Sequence, residues 1–514
     1  MLLITKQYLI LNRQTNNNRK KHIMTEKENQ VKKLVLLKDY TSLNTHDVIT
    51  GGYSAEELYD LLNTDQKICN NAGTDGNIFV LNEDTLNSDD KEVRIVRQYN
   101  GSYMTQQYIG IIRHIKEDSD TTVFISSRFD QNNHFHFTNY LLEKALDIRA
   151  FIFPEMRPQA DHDTALEKLL AIIFLRQINQ AHKKGLFRQY RTYERNDSKI
   201  KGRIDIHRHI RLNPLFDGKI AYSYREYTID NDVNRLILTA YELLAKKDPL
   251  FMRNMLIQFR DVKTCINQLK NTISPASRQE IPGLLNRTKK KITHSIYKEW
   301  EQVRQTAILL LKHIGVHITG DNTETEQIYG VLINIANLWE RYLDRIFKEN
   351  GLAAYTYQHS CEILSEPKNQ YKIERMLKPD FYFAHKDQNP PVVIDAKYKK
   401  SWSEIFSTCR AETEIREDIF QILSYMYVFG CKKGGVICPC LAAGSQIIKK
   451  NLISKELSET HRFAHLHDTI FFVAPLIIPD ESTENEYYNF KDRIKKEEEK
   501  LVKNLCLMIK NFLN

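Results

Sequence analysis

The chain has 514 residues, 42% of them hydrophobic and 27% charged, which excludes a disordered or collagen-like polymer and provides for more than one buried core. Its 74 Lys and Arg against 65 Asp and Glu leave a net charge of +9, which permits an anionic partner without requiring one, because both signs are dense. No apolar run is long enough to cross a bilayer, and the eight scattered cysteines form no CxxC pair, so the sequence reads as a cytoplasmic protein with reduced thiols and no membrane partner.

The opening Met1-Leu2-Leu3-Ile4 is broken by Lys6 and followed by a polar tract, not a cleavage site. Residues 1–24 are therefore expected to be a disordered extension, with Met24 an alternative start. Over 25–150 short β-rich runs dominate: Val35-Leu36-Leu37, Ile78 to Leu81, Val93 to Val96, Tyr108 to Ile112 and Val123-Phe124-Ile125, with Asn100-Gly101 as a turn. Ser54 and Glu57 predict a capped helix over 54–62. His134 and His136 alternate on a possible strand, where packing or solvent is a better reading than a metal. This segment is read as a β-rich, partner-docking domain.

Residues 151–294 read as a helical, mixed middle region. Leu166, Leu169, Leu170, Ile173, Phe174 and Ile178 recur at helical spacing, and Asp230 or Asn231 caps a second helix that begins near Val233. Residues 295–475 form the third predicted domain. Thr323 to Asn350 is expected to be one long helix with Leu332, Ile335, Leu338, Trp339, Tyr342, Leu343 and Ile346 on one face, stopped by Gly351. Glu412 to Phe429 is another helix. Val436-Ile437-Cys438 and Thr469 to Val473 are further strands, and Cys438 and Cys440 read as buried thiols, not cluster ligands. Residues 476–514 end in a charged helix with an apolar stripe. The expected class is α+β multidomain: a β-rich N-terminal domain, a helical middle region and a C-terminal α/β domain.

Two strings in the third domain carry chemistry. Pro379-Asp380 opens the apolar run Phe381-Tyr382-Phe383, and Val392-Val393-Ile394 closes on Asp395-Ala396-Lys397. Side chains alternate along a strand, so Asp395 and Lys397 share a face, and Asp380 joins them if the strands pair. Asp380 and Asp395 would then hold Mg²⁺, or Mn²⁺ in its place, through hard oxygens, and Ala396 would add its carbonyl. Lys397 would orient water or offset charge, and Glu340 on the preceding helix is the natural additional ligand. The bland reading makes Asp380 a turn residue and Lys397 a solvated strand end, because each motif alone is common. On the following helix Gln421 and Tyr425 are as readily a hydrogen-bonded buried pair as a DNA contact. Asp418 reads as an exposed helix charge, and Lys399 and Lys400 as phosphate contacts or solvated charges.

No phosphate loop is present, so no bound nucleotide is expected, and HExxH, paired-Cys zinc spacings and G-x-S-x-G are absent as well. The order Glu340, Pro379-Asp380, Asp395-Ala396-Lys397, Gln421-x-x-x-Tyr425 resembles the PD-(D/E)xK nuclease superfamily, in its branch with a Gln-x-x-x-Tyr helix. Lys201-Gly202-Arg203-Ile204-Asp205, the Glu226 to Arg235 stretch and Asn334 to Tyr342 are similar to blocks of the McrC family, over roughly residues 75 to 475. LlaJI-type restriction subunits are similar too. The resemblance implies a restriction-endonuclease-like C-terminal domain that cuts double-stranded DNA with Mg²⁺. It also implies an N-terminal domain docked on a hexameric AAA+ GTPase, McrB, which would recognise the modified base. Two other readings stand beside it: a non-cleaving adaptor that stimulates an AAA+ motor, and a stand-alone RecB-type repair nuclease.

Overall fold

In the computed structural model the described residues are 31–45, 49–63, 68–69, 78–81, 94–116, 118–131, 134–147, 165–215, 217–315, 326–352, 355–362, 376–384, 391–404, 413–442, 460–462, 469–480 and 487–510. Most are organised around two six-stranded sheets.

The first sheet runs in the order Val31–Lys38, Ser119–Ser126, Tyr108–Lys116, Glu326–Asn334, Ile78–Leu81, Ile68–Cys69. The hairpin 108–126 is antiparallel, whereas Val31–Lys38 lies parallel to Ser119–Ser126. Alternation sorts its residues into two cores. Val35, Leu37, Ile112, Val123 and Ile125 pack with Leu58 and Leu62 of the Ala55–Asn63 helix. Leu36, Ile109, Ile111 and Phe124 face the main core. The predicted cap holds: the Glu57 amide donates to Ser54 Oγ at 3.1 Å, and the Ser54 amide to Glu57 Oε2 at 2.7 Å. Asn100 and Gly101 both adopt positive φ (47° and 79°) and join Val96–Tyr99 to Ser102–Thr105, as a two-residue hairpin turn demands.

One expected helix is corrected. Residues 326–334 are a strand, and only Ile335–Glu349 is helical, capped by Asn334, whose side chain accepts from the Ala336 and Asn337 amides. The strand sits inside the sheet and is buried on both faces, so its apolar residues do not alternate and mimic a helical stripe. It approaches its neighbour so closely that a Cβ on Gly110 would lie 2.0 Å from the Val331 carbonyl oxygen. His134 and His136 are likewise not on a strand. Their rings stack at 5.1 Å where the His136–Leu146 helix begins, and His136 is buried.

The middle of the chain is helical, as expected: Ala165–His182, Asp232–Lys247, Pro249–Gln258 and Arg260–Lys270 share the main core. Asn231, not Asp230, is the cap of the second, accepting from the Asn234 amide at 2.9 Å. The Lys298–Gly315 helix packs on Ala165–His182 and Asp232–Lys247. Residues 298–315 and 326–334 pack chiefly on elements that precede them in the chain. Gln189–Asp197, Arg203–Ile204 and Ile220–Thr228 form a small, largely exposed sheet.

The second large sheet runs Thr356–Tyr357, Phe381–Phe383, Val392–Ala396, Lys433–Leu441, Ile470–Ile478, Thr460–Arg462. Val392–Ala396, Lys433–Leu441 and Ile470–Ile478 are parallel, and the outer strands are antiparallel to them. The central strands are buried, Cys438 and Cys440 with them. Ile335–Glu349 and the Tyr487–Lys510 helix pack with the main-core side of this sheet, and Thr413–Val428 covers the other. The charged C-terminal helix therefore folds back on the body of the chain: Phe490, Ile494, Leu501, Val502 and Leu505 are buried there, and Tyr342 donates to Glu498 Oε1 at 2.7 Å.

Candidate active site

Phe381 pairs with Ile394 in an antiparallel hairpin, which brings Asp380, just before the first strand, beside the end of the second. There Asp380 Oδ2 accepts from the Ala396 amide at 2.6 Å. Asp395 follows Val393 on the face covered by the Thr413–Val428 helix, and Lys397 extends the same alternation. The Lys397 amide donates to the Ile437 carbonyl at 2.9 Å, so the residue continues the sheet's pairing beyond the strand's last residue.

Lys397 is the hub of the polar contacts. Its Nζ lies 2.6 Å from Asp395 Oδ2, 2.7 Å from Gln421 Oε1 and 3.5 Å from Asp418 Oδ1. Gln421 in turn donates to the Tyr425 hydroxyl at 2.7 Å, and that hydroxyl to the Lys378 carbonyl at 3.3 Å. Gln421 and Tyr425, one helical turn apart, thereby orient the lysine and tie the helix to the loop before Asp380. Glu340 reaches the group from the helix of 335–349, where its Oε2 accepts from Gln358 Nε2 at 3.2 Å, and the Gln358 amide donates to the Asp380 carbonyl at 2.8 Å.

Burial and mutual repulsion shape the charges. Asp380 is held well above the usual carboxylate range, first by burial and then by the nearby Asp395 and Glu340, against the pull of the Ala396 amide and Lys397. Burial also raises Asp395, although Lys397 and a hydrogen bond from Asp380 oppose it. Burial alone would lower Lys397, but Asp395, Asp418 and Asp380 outweigh it and hold the ammonium charged. The Tyr425 hydroxyl is pushed up to about 12, mainly by burial.

Asp418 departs from its expected exposure. It is buried, accepts from Lys399 Nζ at 3.0 Å and from Trp402 Nε1 at 2.9 Å, and pairs across to Lys397. Its burial is offset by these ion pairs and hydrogen bonds. Lys399 is accordingly a partner of Asp418, whereas Lys400 is exposed.

All eight residues singled out in sequence, Glu340, Asp380, Asp395, Lys397, Lys399, Lys400, Gln421 and Tyr425, line one open cleft of about 910 Å³. Other lining residues were not legible beforehand. Lys38, Tyr40, Gln107 and Arg128 come from the first sheet and its loops. The carboxylates are hard oxygen donors of the kind that Mg²⁺ and Mn²⁺ take. As they stand, Asp395 is engaged by Lys397 and Asp380 by an amide, and the described residues contain no ready-made cage of three acidic, histidine or cysteine side chains.

Residues 104–439 match the family described as McrBC 5-methylcytosine restriction system component. The chain belongs to that family. Among solved structures, a chain of the Thermococcus gammatolerans assembly of McrB AAA+ hexamers with bound McrC aligns over 92% of this chain and 100% of its own, at 14% identity and a TM-score of 0.43. A chain of the cryo-EM McrBC complex from the same organism aligns over 63% of this chain and 89% of its own, at 15% identity and a TM-score of 0.28. No curated protein matches the chain. As a member of the McrBC family the chain is a subunit of a restriction system, and among its described residues no helix is long and apolar enough to cross a membrane.

Proposed function

We propose that this McrBC-type subunit is a DNA endonuclease of the PD-(D/E)xK kind, acting with an AAA+ GTPase partner of the McrB type. The observation that carries the reading is the crowding of Asp380, Asp395 and Glu340 around one end of a hairpin, with Lys397 beside them, in one open cleft of about 910 Å³. Asp395 and Glu340 raise the proton affinity of Asp380, which marks a local excess of negative charge that a hard divalent cation would offset. Asp380, Asp395 and Glu340 would hold Mg²⁺ or Mn²⁺ with the Ala396 carbonyl, and the bound ion would supply Lewis acidity toward the phosphate and an acidified water.

The chain's own groups do the rest. Lys397, kept charged by its acidic neighbours, offsets the negative charge that grows on the phosphate during attack. Gln421 fixes the ammonium's direction, and Tyr425 fixes Gln421. Lys400, exposed at the cleft, meets the backbone phosphates on either side of the cut. Recognition of a modified base belongs to the partner in this reading.

The test incubates the full chain and its AAA+ partner with methylated and unmethylated plasmid, Mg²⁺, and GTP or ATP. Wild type is expected to cut the methylated plasmid. Asp395→Ala should bind the partner normally and lose cleavage by roughly a thousandfold or more. Undiminished cleavage by this variant would sink the proposal. A second reading, a non-cleaving adaptor that stimulates the motor, draws on the internal pairing of Lys397 with Asp395, Asp418 and Gln421. It requires full partner stimulation with no cleavage by wild type under any of these conditions.

A further inference from the structure

The cleft is lined by two parts of the chain, and the mechanism above uses only one. From the first sheet and its loops come Lys38, Tyr40 and Arg128. Arg128 is held from several sides. Its amide donates to Asp39 Oδ1 at 2.6 Å, and its Nε and Nη2 donate to Asp39 Oδ2 at 2.9 and 2.5 Å. Its guanidinium lies over the rings of Tyr40 and Tyr398, 4.7 and 5.5 Å from their centroids. Asp39 is wholly buried, so its charge sits behind the guanidinium, away from the cleft. Nε and Nη2 are thus committed to Asp39, which leaves Nη1 for a ligand.

This is how a preorganised anion receptor is built. The side chain cannot swing away without unpairing a buried carboxylate, so a ligand meets a group already ordered. A guanidinium suits a phosphate oxygen better than a freely rotating ammonium does. Its place in the chain matters as well. Tyr398, on which Arg128 rests, directly follows Lys397, and Lys38 directly precedes Asp39.

We propose that Arg128 and Lys38 form a phosphate subsite, one that grips the backbone of a DNA duplex whose scissile phosphate faces Asp380 and Asp395. The proposal rests on the nuclease reading. It makes the N-terminal part of the chain half of the substrate site, in addition to any docking role.

The experiment uses the full chain carrying Asp395→Ala, so that substrate is not consumed, and a short fluorescent DNA duplex titrated at several salt concentrations. Adding Arg128→Gln is expected to weaken binding roughly tenfold. It should also make the plot of log affinity against log salt shallower by about one unit. A merely structural role would leave that slope unchanged. Lys38→Gln leaves the Asp39–Arg128 pair in place and should show the same change in slope, so it decides the matter should Arg128→Gln fail to fold. Unaltered affinity and slope in Lys38→Gln together with an unaltered or unfolded Arg128→Gln would overturn the subsite. The nuclease reading fails separately, through wild-type cleavage by Asp395→Ala.

Discussion

The hydroxyls of Ser127 and Tyr398, 271 positions apart, meet at 2.5 Å and join the first sheet's loop to the residue next to Lys397. Ser127 Oγ also accepts from the Phe129 amide at 2.9 Å, and the Tyr398 ring packs edge-on against Phe129 at 5.1 Å and tilted against Trp339 at 5.8 Å. The two halves of the cleft are thereby held in a set relation through one buried side chain.

Tyr398→Phe keeps the ring and removes the link. It should destabilise the chain by about 1–2 kcal/mol, the cost of a lost buried hydrogen bond. Tyr398→Ala also leaves a cavity and should cost about 3–5 kcal/mol. Urea unfolding of the three proteins gives the comparison. Equal losses for the two variants would mean that the hydroxyl, not the ring, carries the junction.

Asp418 holds Lys399 and Trp402 while facing Lys397. Asp418→Asn retains an acceptor for the indole, whereas Asp418→Ala leaves Lys399 and the buried indole nitrogen without a partner. The alanine variant should lose about 3 kcal/mol and the asparagine variant clearly less. Thermal unfolding should rank them in that order, and a reversed order would refute this account of the residue's burial.

Lys433 is buried at the start of its strand, where its Nζ donates to the Met508 carbonyl at 2.7 Å near the end of the C-terminal helix. Burial pulls its ammonium down to about 8. An unfolded lysine keeps its proton until about pH 10.4. Below pH 8 both states are protonated, and the native state bears the whole cost of the buried charge. Between about pH 8 and 10.4 the native state sheds its proton first, so stability from this group rises with pH. The urea midpoint of wild type relative to Lys433→Met should therefore improve from pH 7 to pH 10. A constant gap would show that the ammonium is not penalised by its surroundings.

If the acids hold a divalent ion, Mg²⁺ must stabilise the native chain. At ten times its dissociation constant the gain is about 1.4 kcal/mol. Differential scanning fluorimetry with Mg²⁺ against EDTA should show an upward shift for wild type and none for Asp395→Ala. Equal shifts in both proteins would place the ion elsewhere.

The acid and lysine face was legible because it depends on local rules. A two-residue alternation orients Asp395 with Lys397, and a short connection pairs their strand with Phe381–Phe383. The Ser54–Glu57 box was legible for the same reason, and so was a cap at 230 or 231, which the structure assigns to Asn231. Residues 326–334 were misread because a strand buried on both faces loses its alternation. Asp418 shares a helical face with Gln421 and Tyr425, which the spacing showed. Its burial follows from Lys399 and Trp402, a tertiary pairing that charge alone does not reveal. The Arg128 side of the cleft left no signal near the motifs, because it arrives from hundreds of positions away.

The strand Glu326–Asn334 lies between Tyr108–Lys116 and Ile78–Leu81, so the ribosome delivers a central piece of the first sheet some two hundred residues after its neighbours. Until then the nascent sheet has open edges that invite pairing with other chains. A fragment cut after residue 150 inherits that flaw permanently and should aggregate, and contacts this distant in sequence slow folding of the intact protein. The beginning of the polypeptide cannot be finished before its second half exists.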